Sequence, residues 1–288
     1  MTYNDIINRI ATIYDRQEAR AIARRLLEEA FGLSLTDIAL GLVEKLSANE
    51  TTRLEQMLRR LEESEPLQYV MGKTTFCGYA FRVREGVLIP RPETEQLVEM
   101  AAEAAKQAGT EPRILDIGTG SGCIAISVYR KLRDEGRKPL VTACDISPGA
   151  LGIAQENAER LKAEIRFVKC DILSPDGQMM FNGEEFDIIV SNPPYICQSE
   201  AQTMHANVLR HEPHTALFVP DDDAMLFYRN IAAMARRTLK HDGRLLFEIN
   251  RNYGKETSRL LAQTGYADVE TVRDIYGNPR FVTARKQN

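Results

Sequence analysis

Residues 113–122 read Arg113-Ile114-Leu115-Asp116-Ile117-Gly118-Thr119-Gly120-Ser121-Gly122, and Cys123-Ile-Ala-Ile-Ser-Val-Tyr-Arg-Lys-Leu132 follows. The first five residues form a short apolar run, the expected reading of a buried strand, while 123–132 carries apolar side chains at helical spacing. Three alternating glycines between them predict a tight strand-to-helix loop in which the backbone can approach a ligand closely and the helix start offers free N–H groups. A dinucleotide fingerprint would need glycine at 123, where this chain has cysteine. The carboxylate of Asp116 beside the loop suits a cationic ligand group and opposes a pyrophosphate.

Outward from this stretch, strands and helices alternate. Strands are expected at 140–144, 165–169, 186–190 and 244–248. Helices are expected from 94 to 108 and over 148–161, 224–239 and 253–264. A closing strand pair, 267–272 and 280–284, meets through Gly277-Asn278-Pro279. Such alternation predicts an α/β fold with a mostly parallel sheet covered on both faces, and the closing pair predicts an antiparallel edge. Before residue 65 the pattern is helical instead. Ile6, Ile7, Ile10, Ile13 and Tyr14 recur at helical spacing, as do Ala23, Leu26, Leu27, Ala30 and Phe31, and Ser47-Ala-Asn-Glu50 has the spacing of a capping box. Phe76, Gly78, Phe81 and Val83 predict two short strands around a turn, and Val87-Leu88-Ile89 a further extended segment ahead of Pro90 and Pro92. The expected division is a helical domain over 1–73, a β-hairpin linker over 74–92 and an α/β domain over 93–288.

Three further positions carry chemistry. Asp145 ends the strand after the glycine loop, where a doubly wound sheet places an acid within reach of ribose hydroxyls; loop and acid together predict a nucleoside-bearing cofactor. Asp171-Ile172 follows the third strand and can edge and cover a purine ring. Asn192-Pro193-Pro194-Tyr195 follows the apolar strand Asp187-Ile-Ile-Val190. Its prolines stiffen the backbone and lack donors, so the Asn192 side chain and nearby carbonyls stand as acceptors for a substrate NH₂ group, with Tyr195 as a flat wall. His205, His211 and His214 near Cys197 have no zinc-ligand spacing and read as a polar loop over the site, without a metal. Asp221, Asp222 and Asp223 read as solvated.

Composition narrows the classes. The 288 residues are 43% hydrophobic and 27% charged with a net charge of −4, which is globular and mildly acidic. Residues 1–90 hold 12 basic and 13 acidic side chains, so no basic region for nucleic acid is visible there. No signal peptide and no apolar run of membrane-spanning length is evident, and the five scattered cysteines lack paired spacing, so a cytoplasmic chain with free thiols is expected.

The Asp116-x-Gly-x-Gly-x-Gly122 loop, Asp145 and Asn192-Pro-Pro-Tyr195 together resemble S-adenosylmethionine-dependent methyltransferases that modify a planar or amide nitrogen. More specific is Pro66-Leu-Gln-Tyr69, Gly72, Phe76, Gly78, Phe81, Val83 and Val87-Leu-Ile-Pro-Arg-Pro-Glu-Thr-Glu95, which resembles the signature of the HemK/PrmC family, protein-(glutamine-N5) methyltransferases of class 1 peptide chain release factors. The resemblance spans essentially the whole chain. It departs where Phe218-Val-Pro-Asp-Asp-Asp223 replaces an Asp-Gly turn, where Asn250 replaces a glycine, and in a longer 174–185 segment. It implies a Rossmann-like seven-stranded class I methyltransferase sheet behind a small helical N-terminal domain and a β-hairpin linker. The implied cofactor is S-adenosyl-L-methionine, leaving as S-adenosyl-L-homocysteine. Asp116, Gly118, Thr119, Gly120, Ser121 and Gly122 would hold its methionyl part, Asp145 the ribose, and Asp171 with Ile172 the adenine. Asn192 and the Pro193 carbonyl would accept the two amide hydrogens of the glutamine in a Gly-Gly-Gln motif, with Pro194 and Tyr195 completing the substrate pocket.

Two other readings compete. A nucleic-acid methyltransferase acting on an exocyclic adenine or guanine nitrogen could use the same Asn-Pro-Pro-Tyr grip, but would need a basic recognition region. A non-catalytic cofactor-binding protein would not need Asn192. The implied partner is therefore a release factor, with neither direct nucleic-acid nor membrane binding expected.

Overall fold

The computed structural model describes residues 1–204 and 206–287. The chain divides into two compact units, one of Met1–Thr74, Val83–Glu85 and Met204–His211, the other of Thr75–Arg82, Gly86–Thr203 and Glu212–Asn288.

The smaller unit is helical: α1 (Tyr3–Ile10), α2 (Arg16–Phe31), α3 (Leu35–Ala39), α4 (Ala48–Glu62) and α5 (Leu67–Met71). Ser47 caps α4, its hydroxyl accepting from the Glu50 N–H while the Glu50 carboxylate accepts from the Ser47 N–H, and Thr2 with Asp5 does the same for α1. Gly32 ends α2 at φ +69°, a left-handed conformation that a Cβ would strain. Ile6, Ile7, Ile10, Leu26, Leu27, Leu54, Leu58 and Leu61 fill the core. Ile13, expected on the buried stripe, is 45% exposed because α1 stops at Ile10 and the next residues turn.

The larger unit opens with β1 (Lys73–Phe76), whose first two residues belong to the smaller unit, and β2 (Tyr79–Arg82). Cys77 (φ 48°) and Gly78 (φ 76°) join them, the paired positive φ angles of a two-residue hairpin turn. The stretch 74–92, expected as a linker, is divided between the units. Phe76 and Phe81 pack edge to face at 6.0 Å and belong to the core of the larger one. Val87-Leu88-Ile89, expected as extended, joins no sheet; Glu212 holds the segment, accepting from the Ile89 N–H (3.3 Å) and from Arg91 (2.7 Å).

The remaining elements are α6 (Thr94–Gln107), β3 (Arg113–Ile117), α7 (Cys123–Asp134), β4 (Leu140–Asp145), α8 (Pro148–Arg160), β5 (Ile165–Lys169), α9 (Pro175–Met179), β6 (Phe186–Ser191), β7 (Ile196–Cys197), α10 (Ala206–His211, counted with the smaller unit), α11 (His214–Leu217), β8 (Phe218–Val219), α12 (Leu226–Thr238), β9 (Leu239–Glu248), α13 (Gly254–Gln263), β10 (Tyr266–Arg273) and β11 (Pro279–Lys286). Seven strands form one sheet in the order β10-β11-β9-β6-β3-β4-β5. The five from β9 to β5 run parallel; β11 is antiparallel to both β9 and β10, which makes the expected antiparallel edge.

The period-two alternation of strand side chains puts Ile114, Ile188, Val190 and Leu246 in one core with α6 and α7. Leu115, Ile117, Ile189, Leu245 and Phe247 enter a second core with α12 on the opposite face. The chain runs from β3 outward through β4 to β5 on one side and then crosses back to β6 on the other side of β3, so the strand order reverses at β3. The crevice at their carboxyl ends is where a doubly wound sheet binds ligands.

Candidate active site

The loop after β3 is built from behind. Asp116 is fully buried, and its Oδ2 accepts from the Thr119 hydroxyl (2.6 Å) and the Ala125 N–H (3.2 Å), tying the loop to the first turn of α7. Its Oδ1 is buried with no hydrogen-bond partner among the described residues. Burial pushes the Asp116 carboxyl up to about 7. From the other side Asp145, at the end of β4, accepts from the Gly120 N–H (2.9 Å) through one oxygen and the Ser147 N–H (2.9 Å) through the other. Burial raises this carboxyl too, opposed by those backbone donors. Gly122 caps α7 at φ +80°, where a Cβ would lie 2.9 Å from Ile126 Cδ1 and 3.1 Å from Ala154 Cβ. Its glycine serves the packing of α7 against α8.

A cavity of about 370 Å³ opens at the carboxyl ends of β3, β4 and β6, within the usual size range of small-ligand sites. Gly118, Gly120, Asp145, Asp171, Ile172, Asn192, Pro193 and Pro194 all line it. Gly86, Val87, Leu88, Phe218 and Phe227 add apolar wall that the sequence reading did not assign. Asp116, Thr119, Ser121, Gly122 and Tyr195 are not among its lining residues. The first four form the back of the glycine loop. Tyr195 instead packs against the α12-side core and donates its hydroxyl to Glu248 Oε1 at 3.4 Å.

Asn192 donates through Nδ2 to Thr94 Oγ1 at 3.4 Å, and Thr94 in turn donates to Glu248 Oε2 at 2.7 Å. Glu248 ends β9 and is 1% exposed; burial pushes its carboxyl up to about 7, against the pull of the Thr94 hydroxyl and Arg280. Neither Thr94 nor Glu248 was singled out from sequence. The available signal was an acid closing the otherwise apolar run Leu245-Leu-Phe-Glu248. Asn250, where the resemblance expects glycine, donates to the Tyr195 carbonyl (3.3 Å) and to Glu200 (3.2 Å), bracing the turn after β6.

Pro213, Thr215 and Ala216 line the cavity, whereas His211 and His214, expected on a polar loop over the site, do not line it: His211 ends α10 and His214 opens α11. His214 packs edge to face on Phe218, and within the smaller unit His211 Nε2 lies 3.2 Å from the Glu63 carbonyl; His205 lies outside the described residues. No group of three His, Cys, Asp or Glu side chains among the described residues is arranged to hold a metal. Asp221, read as solvated, accepts from the Ser199 N–H and hydroxyl at 2.9 Å, and Asp223 pairs with Arg229. The five cysteines are free, and no helix among the described residues is long and apolar enough to cross a membrane.

A seven-stranded sheet with an antiparallel edge, a glycine loop at its switch point and an acid closing the next strand define a class I methyltransferase. The family described as methyltransferase domain matches residues 109–273, and the one described as PrmC N-terminal domain matches residues 5–72. The chain is 44% identical over 274 residues to the release factor glutamine methyltransferase of Bacteroides thetaiotaomicron, with 95% of each chain covered. It is 42% identical over 278 residues to that of Flavobacterium psychrophilum, covering 96% of this chain and 95% of the relative. The solved 16S rRNA N2 G1207 methyltransferase of T. thermophilus shares the fold, with a TM-score of 0.52 at 18% identity over 75% of this chain and 50% of that one. The chain belongs to the release factor glutamine methyltransferase family.

Proposed function

We propose that the chain transfers a methyl group from S-adenosyl-L-methionine to the side-chain amide nitrogen (N5) of the glutamine in a Gly-Gly-Gln motif of class 1 peptide chain release factors, supporting translation termination. One observation carries this reading: rigid acceptors of the Asn192-Pro193-Pro194 turn and an acid-lined cofactor crevice share one cavity.

The residues fit the cofactor. Among the described residues, Asp145 and Asp171 line the cavity, no lysine or arginine does, and the buried Asp116 Oδ1 has no hydrogen-bond partner. This is a field for a cationic sulfonium and ammonium, unsuited to a pyrophosphate. The Asp145 oxygens, each with a lone pair beyond its backbone bond, would take the ribose hydroxyls. Asp171 and Ile172 would edge and cover the adenine. Bound there, the cofactor supplies an electrophilic methyl on sulfur, and S-adenosyl-L-homocysteine is left.

A carboxamide nitrogen is a poor nucleophile because its lone pair is delocalised. Asn192 Oδ1 and the Pro193 carbonyl, accepting its two hydrogens, would aim that lone pair at the methyl carbon and favour the positive charge that grows on nitrogen. Orientation of this kind supplies up to ~7–11 kcal/mol in favourable cases. The methyl carbon would pass from sulfur to nitrogen, the C–N bond forming as the C–S bond breaks, and the cationic nitrogen would release its surplus proton to water.

The test offers labelled cofactor with a release factor, its Gly-Gly-Glu variant, tRNA, rRNA and duplex DNA. Label is expected on the Gly-Gly-Gln protein only. Label on the glutamate variant or on nucleic acid alone would refute the assignment, the latter in favour of an exocyclic-amine methyltransferase.

A further inference from the structure

Glu248 has no place in the chemistry above. It does not line the cavity, yet it is a fully buried acid connected to the cavity through Thr94 and Asn192. We propose that Glu248 and Thr94 are positioning residues that set which way the Asn192 carboxamide faces, so that its oxygen is the atom offered to the substrate amide.

Hydrogen-bond direction fixes the orientation of Asn192. An ionised carboxylate only accepts. Glu248 Oε2 therefore takes the single Thr94 hydroxyl proton at 2.7 Å, and Oε1 takes that of Tyr195 at 3.4 Å. With its one proton committed, Thr94 Oγ1 can only accept from Asn192, 3.4 Å away. That bond holds the NH₂ end of Asn192 against Thr94 and leaves Oδ1 for the cavity. A flipped Asn192 would offer a donor to the substrate NH₂, two donors facing each other. Thr94 is 2% exposed, so water does not compete for its hydroxyl. Were Glu248 to take up a proton, it could donate to Thr94, whose own proton could then turn to an Asn192 oxygen and stabilise the flipped rotamer.

The charged and titratable groups facing this carboxyl are Arg280 of β11, Glu93 before α6 and Tyr195 after β6; the Tyr228 hydroxyl of α12 donates to the Glu248 backbone carbonyl at 3.3 Å. Asp116, whose carboxyl burial also raises to about 7, braces the glycine loop and is unchanged in Glu248→Gln, so only the limb lost in that variant is assigned to Glu248.

The inference rests on the proposed glutamine-methylating activity, and its test separates the two. With full-length protein, saturating cofactor and a Gly-Gly-Gln release factor, the wild-type kcat is expected to rise with pH through about 7. Glu248→Gln should abolish that limb and lower kcat about tenfold or more, with cofactor affinity by calorimetry within a few-fold. Thr94→Val, which keeps shape but removes the hydroxyl, should lower kcat similarly, and Thr94→Ser should recover most of the rate. In an Asn192→Ala background Thr94→Val should change the residual rate less than about twofold, because nothing remains to orient. Equal costs of Thr94→Val in both backgrounds, failure of serine to rescue, or an unchanged kcat and pH limb in Glu248→Gln would overturn the proposal. If Glu248→Gln does not fold, the Thr94 series decides alone. A wild-type protein that leaves the release factor unlabelled refutes the substrate reading instead.

Discussion

Asp145 and Asn192 line the same cavity and are assigned opposite halves of the work. Asp145 holds Gly120 by one oxygen and Ser147 by the other, so its removal would take away the proposed ribose partner and release the loop backbone together. Asp145→Ala is expected to weaken S-adenosyl-L-methionine binding by ~1.5–3 kcal/mol, the range for a hydrogen bond to a charged group. Calorimetry showing unchanged affinity would remove Asp145 from the ribose role. Asn192→Ala should do the reverse, leaving affinity within a few-fold while single-turnover methyl transfer slows by ~100-fold, the cost of a misplaced nucleophile. The side chains beside them differ in what the chain alone reveals. Tyr195 sits in the same four-residue motif as Asn192, yet its hydroxyl turns inward to Glu248, because the carboxyl end of β9 supplies a buried acceptor there.

At the scale of elements, the 170–179 segment shows how a short helix can serve a binding site. Ser174 caps α9, its Oγ accepting from the Gly177 N–H at 3.0 Å, and folds that helix back on the segment that carries Asp171 and Ile172. A Cβ on Gly177 would fall 1.8 Å from the Asp171 carbonyl oxygen, which is backbone and cannot rotate away. Gly177→Ala must therefore displace Asp171. The expected result is a loss of stability of about 1–3 kcal/mol in denaturant titration, with cofactor affinity falling more than in a control at exposed Gly183. Equal affinities for the two variants would show that Asp171 and Ile172 do not contact the cofactor. Gly122 is the counterpart in α7, where the crowding comes from Ile126 and Ala154 and concerns helix packing.

For the whole molecule the two buried acids set a pH dependence of stability. Asp116 and Glu248 are both raised to about 7 from ordinary values of 3.8 and 4.5. Between those values and about 7 the folded chain binds protons that the unfolded chain has released, so their contribution to stability is greatest at the acid end of this window. It declines as pH rises through about 7. Thermal midpoints of the ligand-free protein should fall from about pH 5.5 to 8, less steeply in Glu248→Gln; midpoints rising over that range would contradict the assignment. Activity through an ionised Glu248 moves the other way, so the pH that favours catalysis is one at which the apo-fold is weaker. Ligand restores the difference, since binding the folded state at 100 times Kd adds ~2.7 kcal/mol.

What the chain determined unaided is whatever depends on neighbours in sequence. Residues 113–122 dictate a strand, a loop and a helix start because apolar run, glycine spacing and helical periodicity are local properties. Asp145, Asp171 and Asn192 could be placed at one end of the sheet for the same reason, each standing at or within two residues of the end of a readable strand. Boundaries that hinge on competition were not legible: the helical stripe through Ile13 ends early in a turn, and Val87–Ile89 is held by Glu212, 123 residues from Ile89, and by no strand. Thr94 and Glu248 are 154 residues apart, and their 2.7 Å bond exists only because the sheet order brings the end of β9 beside the start of α6. A carboxylate at the end of an apolar strand can face water or a hydroxyl equally well in the sequence. Packing of the folded sheet decides, because burial forbids that acid to remain without partners.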